Sequence, residues 1–255
     1  MTVLAVIPAR RGATRLPDKP LRLLGGSPLI LRVWERVLSL GVADRVVVAT
    51  DDVEIQQTIE SAGGVAVLTR RDHPSGTDRV AEVARRAEYA GVEVIVNVQG
   101  DEPFMDELAV RGAVAVVTSG TAPIGTAAVP ASADALLSPD AVKVVCDDNG
   151  RALYFSRAAI PYLRDDNDAA LRDARVRLHL GIYAYTRAAL QTWVALPVHP
   201  LEQIERLEQL RPLAAGLPIG VALASPVAVG GIDTEADLLR ANAHWDSIYA
   251  VRSPA

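Results

Sequence analysis

The sequence predicts an α/β fold: a mostly parallel sheet covered by helices on both faces. Three observations carry this. Short aliphatic runs that read as strands alternate with helical patterns from end to end. The first run, Val3 to Ile7, is apolar throughout, as a strand buried on both faces must be. Loops rich in charge or glycine follow several of these runs, at the strand ends where open α/β sheets place their ligands.

The elements follow in order. After the first strand comes the loop Pro8 to Leu21. It holds Arg10, Arg11, Arg15 and Lys19 within ten residues, with Gly12, Pro17 and Pro20 arguing against a helix. Gly25-Gly26 makes a turn, Ser27 is expected to cap a helix that runs to about Leu40, and Pro28 occupies its first position. Arg45 to Ala49 is the second strand. Thr50-Asp51-Asp52 follows, and Glu54 is placed to complete a capping box for a helix through Ile59. Gly63-Gly64 stops that helix and Val65 to Leu68 is a third strand. A polar loop, Arg70 to Arg79, feeds a helix expected to reach Tyr89. Glu93 to Val98 is a strand running into Gln99-Gly100-Asp101-Glu102-Pro103, and Asp106 opens a helix to about Val117.

Strands are expected at Ile124–Val129 and Val142–Cys146, with Asp147-Asp148-Asn149-Gly150 turning into a return strand at Leu153–Phe155. Asp165 to Arg177 lacks periodicity and reads as a mobile surface segment. Leu178 to Tyr185 alternates as a strand does. Pro200 to Arg211 reads as one amphipathic helix with Leu201, Ile204, Leu207 and Leu210 on one side. Val221 to Ala224 is a last strand, and Thr234 with Asp237 is a capping pair for a terminal helix.

Composition bounds the function. The chain has 255 residues, half of them hydrophobic, and a formal charge of −5. That length suits one domain, and no repeat, low-complexity tract or linker divides it. An acidic body argues against a nucleic-acid partner and makes the basic loop a local feature suited to a small anion. No leader precedes the first strand and no apolar run reaches ~18 residues, so a soluble cytoplasmic protein without a membrane partner is expected. The lone Cys146 excludes an internal disulfide and reads as a buried thiol beside Val144 and Val145.

The basic loop is either a phosphate cradle or a solvated surface loop. No G-x-G-x-x-G follows the strand and no Walker motif exists. Ser75, Thr77 and Asp78 are helix caps or ligand contacts. Asp101 and Asp233 each follow a glycine-containing turn; two carboxylates are about what Mg²⁺ takes from a protein when phosphates and water complete its shell. On spacing alone, an Asx turn at Asp101 and a cap at Asp233 are the commoner outcomes.

A family resemblance bears on these choices. Ile7-Pro8-Ala9-Arg10, Thr14-Arg15-Leu16-Pro17 and Lys19-Pro20-Leu21 resemble the opening motif of the CMP-Kdo synthetases, the 3-deoxy-manno-octulosonate cytidylyltransferases. The resemblance continues through Ala49 to Asp52, Ser75 to Arg79, Asn97 to Pro103, Ala141 to Val145 and Ala152 to Arg157. It extends to His179 through Tyr185, Leu207 to Arg211 and Gly231 to Leu238. It implies a Rossmann-like three-layer nucleotidyltransferase with a mostly parallel mixed sheet, and transfer of CMP from CTP to the anomeric hydroxyl of an eight-carbon acid sugar.

In that reading Arg10, Arg15 and Lys19 hold the CTP phosphates, and Pro8 and Ala9 with Ser75, Gly76 and Thr77 form the cytidine pocket. Asp101 and Asp233 ligate magnesium, and Gln99 touches both substrates. Arg157, His179, Tyr183, Glu208 and Gln209 line the sugar site, where an Arg pairs naturally with a carboxylate. The resemblance also implies a homodimer, with residues 150–212, and Leu178–Pro200 within them, contributing dimer or acceptor contacts. Alternatives stay open: His179 as a core imidazole, Glu208 as a helix-surface partner of Arg211, and Arg79 as a surface residue. Another acid acceptor or a non-catalytic nucleotide-binding module are further alternatives. Family members commonly carry Ser where this chain has Ala13 and Gly where it has Asp18, and a carboxylate there should weaken phosphate binding unless it turns outward.

Overall fold

The computed structural model describes residues 1–12, 15–225 and 230–245, so Ala13 and Thr14 of the basic loop lie outside the described residues. The chain forms two compact units. Of the described residues, one comprises Thr2–Gly91, Asn97–Met105 and 230–245; the other comprises Met1, Val92–Val96 and 106–225.

In the first unit the strands Val3–Ala9, Arg45–Thr50 and Val65–Leu68 are parallel, with Ala5 opposite Val46 and Ala49 opposite Val67. Leu4 to Ile7 are fully buried, as a continuous aliphatic run requires. The helix Leu29–Ser39 buries Leu29, Ile30, Val33 and Val37, one stripe at helical spacing. Its start departs from expectation. Leu23–Leu24 pairs with Ser27–Pro28 across Gly25-Gly26, both at positive φ, so Ser27 belongs to a hairpin and caps nothing. The Leu29 N–H is satisfied instead by the Arg22 carbonyl at 2.8 Å.

The helix Val53–Ser61 has no capping box. Asp52 Oδ1 accepts from the N–H groups of both Glu54 and Ile55, and Glu54 sits one position too early to reach back. The next helix, Gly76–Ala84, stops short of Tyr89, which lies in a separate 3-10 turn. The terminal helix Glu235–Ala243 does carry the expected reciprocal cap between Thr234 and Asp237.

In the second unit Ile219–Leu223 runs parallel to Ile124–Pro130, and Arg177–Thr186 pairs antiparallel with the latter. Lys143–Cys146 pairs with both Arg177–Thr186 and Ala152–Ser156. The turn from Cys146 to Ala152 is closed as expected, by Gly150 N–H donating to Asp147 O. The helix Glu107–Thr118, capped by Asp106, lies on these strands. The fit is close at Gly125, where a Cβ would stand 2.1 Å from the Ala113 carbonyl oxygen.

Three expectations fail in this unit. Residues 165–177 are ordered locally: Asp165 caps a 3-10 turn and Ala169–Arg175 is a helix. It buries no side chain, so no apolar period marks it. The single helix at 200–211 is two, Pro200–Glu205 and Leu210–Ala214, broken where Arg206 takes φ 55°. Ile204 is 76% exposed while Leu207 and Leu210 are buried. Cys146 is half-buried rather than buried, although burial still pushes its thiol up to about 11, away from reactivity. A helix the pattern does not mark, Arg187–Ala195, follows a Thr186 cap. Among the described residues no helix is long and apolar enough to cross a membrane.

Because Gly125 faces a helix backbone that cannot yield like a side chain, Gly125→Ala is expected to cost about 2–3 kcal/mol. Urea unfolding should show a lower midpoint at unchanged slope; a parental midpoint would refute this close approach.

Candidate active site

The basic loop is pinned by two buried residues, Leu16 and Pro20, and ends in the short 3-10 turn Lys19–Leu21. Asp18 precedes the turn at φ 53°, in the left-handed region. Glycine visits that region freely and Asp is among the side chains that tolerate it. Its carboxylate turns to Arg11, with Nε donating to Oδ1 at 2.7 Å. Arg11 also reaches Glu54 at 2.7 Å and Asp52 at 3.5 Å. The unfavourable charge of Asp18 is thus matched by Arg11, and the carboxylates of Asp18 and Glu54 hold the guanidinium raised above its ordinary range.

Lys19 faces the other way. Its side chain is only 12% exposed, and Nζ donates to Asp101 Oδ2 at 2.6 Å and to Asp233 Oδ1 at 2.8 Å. Arg15 Nη2 stands 3.4 Å from the second oxygen of Asp233. Burial alone would lower the ammonium, but the two aspartates together raise it, so it stays charged.

Local structure explains how residues so distant in sequence meet. The N–H of Val98 donates to the Val6 carbonyl at 3.1 Å, aligning the ends of two strands. At Gly100 any Cβ would lie 2.7 Å from the Pro8 carbonyl oxygen, so only glycine lets the loops approach. The Ile232 N–H donates to the Asp101 carbonyl at 2.9 Å, which draws Asp233 alongside.

A residue that sequence reasoning missed lies here. Glu102 is half-buried, and desolvation followed by the charges of Asp101 and Asp233 pushes its carboxyl up to about 8, with Lys19 opposing. It packs against Gly231, where a Cβ would fall 2.5 Å from Oε1. The only signal for it in the sequence is its neighbour, Asp101.

Ser75 acts as a helix cap, accepting from Asp78 N–H at 3.2 Å and donating to Asp78 Oδ2 at 2.8 Å. Gly76 lies against the Pro8 ring and Thr77 is buried. Ala9 is buried, Gln99 is half-buried, and Arg10 is exposed with no ion pair among the described residues. Arg79 is no surface residue. It is 3% exposed, with Nη1 on Thr69 Oγ1 at 2.5 Å and Nη2 3.5 Å from Asp51. Among the described residues no group of three or more His, Cys, Asp or Glu could hold a metal ion. The Asp101–Asp233 pair, already bridged by a cation, is the donor set that suits a hard ion sharing its shell with phosphate.

The second unit gathers His179, Tyr183 and Glu208. The His179 and Tyr183 ring centroids are 5.3 Å apart. Tyr183 is buried, its hydroxyl has no hydrogen-bond partner among the described residues, and it is held up by burial, by Tyr185 and by the Glu208 charge. Gln209 is buried beside them in sequence.

Arg157 is tied to backbone: Nε donates to Glu205 O at 2.9 Å and Nη1 to Pro139 O at 3.1 Å. Glu205 in turn accepts from Ser156 Oγ at 2.6 Å and from the Arg157 N–H at 2.9 Å. The fully buried Lys143 donates to the carbonyls of Ser138, Ala141 and Arg157. Lys143 and Glu205, neither singled out by the sequence, therefore shape the Arg157 segment. Arg211 pairs with Glu202 through two guanidinium nitrogens at 2.6 and 2.7 Å.

A mixed α/β sheet that gathers cations and paired aspartates at its strand ends is a fold of nucleotidyltransferase type. The chain belongs to the cytidylyltransferase family, whose model matches residues 4–219. It is 64% identical over 255 residues to the 3-deoxy-manno-octulosonate cytidylyltransferase of Gemmatimonas aurantiaca, covering 100% of this chain and 98% of that one. It is 46% identical over 247 residues to the protein of the same name from Yersinia pestis, covering 95% and 98%. Among solved structures it is similar to a CMP:2-keto-3-deoxy-manno-octonic acid synthetase complexed with CTP, at TM-score 0.88 and 39% identity, covering 97% and 99%. A 4-diphosphocytidyl-2C-methyl-D-erythritol synthase from Anaerococcus prevotii, at TM-score 0.61 and 14% identity, shares the fold.

Burial pushes the His179 imidazole down to about 3. An unfolded histidine takes up a proton near pH 6.5 while the folded one does not, so stability falls as pH drops from about 6.5 toward 3. Urea unfolding between pH 7 and 4 should show this loss, and His179→Asn should flatten it. An unchanged slope in the variant would assign the acid sensitivity elsewhere.

Proposed function

We propose that this protein transfers CMP from CTP to the anomeric hydroxyl of 3-deoxy-D-manno-octulosonate, releasing pyrophosphate. The observation that carries the reading is the Lys19 ammonium held between Asp101 and Asp233, in a member of this family that closely resembles enzymes of that name. The bond formed joins the sugar oxygen to the α-phosphorus; the bond broken releases pyrophosphate as an anion.

Arg10, Arg15 and Lys19 neutralise the triphosphate and the departing pyrophosphate. The backbone of Pro8 and Ala9, with Gly76 and Thr77 at the helix start that Ser75 caps, receives cytidine, and Gln99 borders both substrates. Asp101 and Asp233 are the residues that would hold Mg²⁺. Bound there, the ion would supply charge neutralisation and a lowered pKa for a coordinated hydroxyl. Arg157 offers its remaining N–H groups to the sugar carboxylate, and His179, Tyr183, Glu208 and Gln209 face the sugar hydroxyls. The chain's own contribution is positioning and electrostatics, which is what nucleotidyl transfer chiefly needs. The reading includes a homodimer using residues around 150–212 and action in the cytoplasm.

Pyrophosphate release should require CTP, Mg²⁺ and the acid sugar together. Asp101→Asn should lower kcat by about 100-fold or more with an unchanged circular dichroism spectrum. Lys19→Ala, removing a charge-assisted contact, should raise the KM for CTP by about 10- to 100-fold. Normal turnover by Asp101→Asn would sink the metal assignment, and pyrophosphate release without the acid sugar would sink the acceptor.

A further inference from the structure

The hydrogen bonds around His179 settle where its proton sits. Among the described residues the imidazole has one hydrogen-bond partner, Thr126, with Nε2 and Oγ1 2.9 Å apart. Thr126 is fully buried, and its Oγ1 also lies 2.6 Å from the Ile182 carbonyl oxygen. A carbonyl oxygen only accepts, so the single Thr126 hydroxyl hydrogen is committed to Ile182. The same oxygen can then meet His179 only as an acceptor, so Nε2 carries the hydrogen. In a neutral ring, Nδ1 is left as a bare acceptor. Burial without a charged partner keeps the ring neutral.

The backbone builds this arrangement. Arg177–Thr186 pairs His179 with Ala128 and Tyr183 with Thr126, and its register shifts between these positions. Gly181 lies in that irregularity at φ 71°, where glycine is favoured. Phe155 stands edge-on to the imidazole with ring centroids 5.0 Å apart, and the tilted Tyr183 ring lies at 5.3 Å, so two aromatic rings pack against it.

We infer that Thr126 is a positioning residue that locks His179 as the Nε2–H tautomer, so that Nδ1 offers a lone pair to a hydroxyl hydrogen of the acceptor sugar. This rests on the reading of His179 as part of the sugar site. It specifies the chemistry selected: a hydroxyl donor at that position is accepted, and an O-methyl or keto oxygen there is rejected.

Histidine-labelled full-length protein, observed by long-range ¹H–¹⁵N NMR at pH 7, tests the lock. The His179 signals should show Nε2–H in the parent and in Thr126→Ser. Thr126→Val, nearly isosteric but without the oxygen, should lose that pattern. In parallel, Thr126→Val should raise the KM for the acid sugar about tenfold with the KM for CTP unchanged, and Thr126→Ser should restore it. A parent His179 carrying Nδ1–H or both hydrogens overturns the lock, and that spectrum decides the matter even where the Val variant fails to fold. A shifted tautomer with unchanged acid-sugar KM overturns the role given to Nδ1. If the parent transfers no CMP at all, the proposed function falls, while the spectra still decide the part played by Thr126.

Discussion

One ammonium group holds three strand-end segments of the first unit together. Lys19 leaves the basic loop and lies between two carboxylates contributed by segments far along the chain. Two aspartates that close, with Glu102 half-buried alongside, repel each other; at ~4 Å in a partly buried setting each pair of unit charges is worth about 4 kcal/mol. A cation between them converts that repulsion into cohesion, and the raised ammonium of Lys19 is its signature, while the carboxyl of Glu102 is raised by desolvation and the two aspartates against the pull of Lys19. The need for a positive charge at this point also explains why a divalent ion suits the same donors.

The surrounding loop is arranged so that its charges do not compete. Arg11 takes up Asp18 and Glu54, leaving Lys19 and Arg15 to Asp233 and Arg10 exposed. A carboxylate at position 18 would oppose phosphate if it faced inward; the left-handed backbone turns it to Arg11 instead. Around Arg157 in the other unit positive charge is held through neutral acceptors. Buried Lys143 is satisfied by three carbonyls, and Arg157 by carbonyls on two segments, so positive charge is fixed in place without a carboxylate neutralising each cation.

Much of this is legible in the sequence where the cause is local. The buried strand Val3–Ala9, the Asp106 and Thr234 caps and the turn at Asp147–Gly150 follow from composition within a few residues. Local reasoning fails where a distant partner decides the outcome. Glu54, which would suit a capping box only if the helix began one residue earlier, serves Arg11 instead, and Arg79, whose charge suits the surface, is buried beside Thr69 and Asp51. The helix at 200–211 breaks at Arg206, and the buried pair Glu202–Arg211 spans the break, which an apolar period cannot reveal.

By itself the sequence determined, through its resemblance to a family, the residues expected to meet a carboxylated sugar, and, from its local pattern, the α/β class, the strand-end loops and the residue types able to meet phosphate and a divalent ion. These depend on period, turn chemistry and charge, all properties of neighbours along the chain. Only the tertiary structure decided which charges meet: that Lys19 joins Asp101 to Asp233, that Glu102 stands half-buried beside them, and that Thr126 fixes the proton of His179. Those outcomes depend on distance and desolvation, which exist only once remote segments share the same few ångströms.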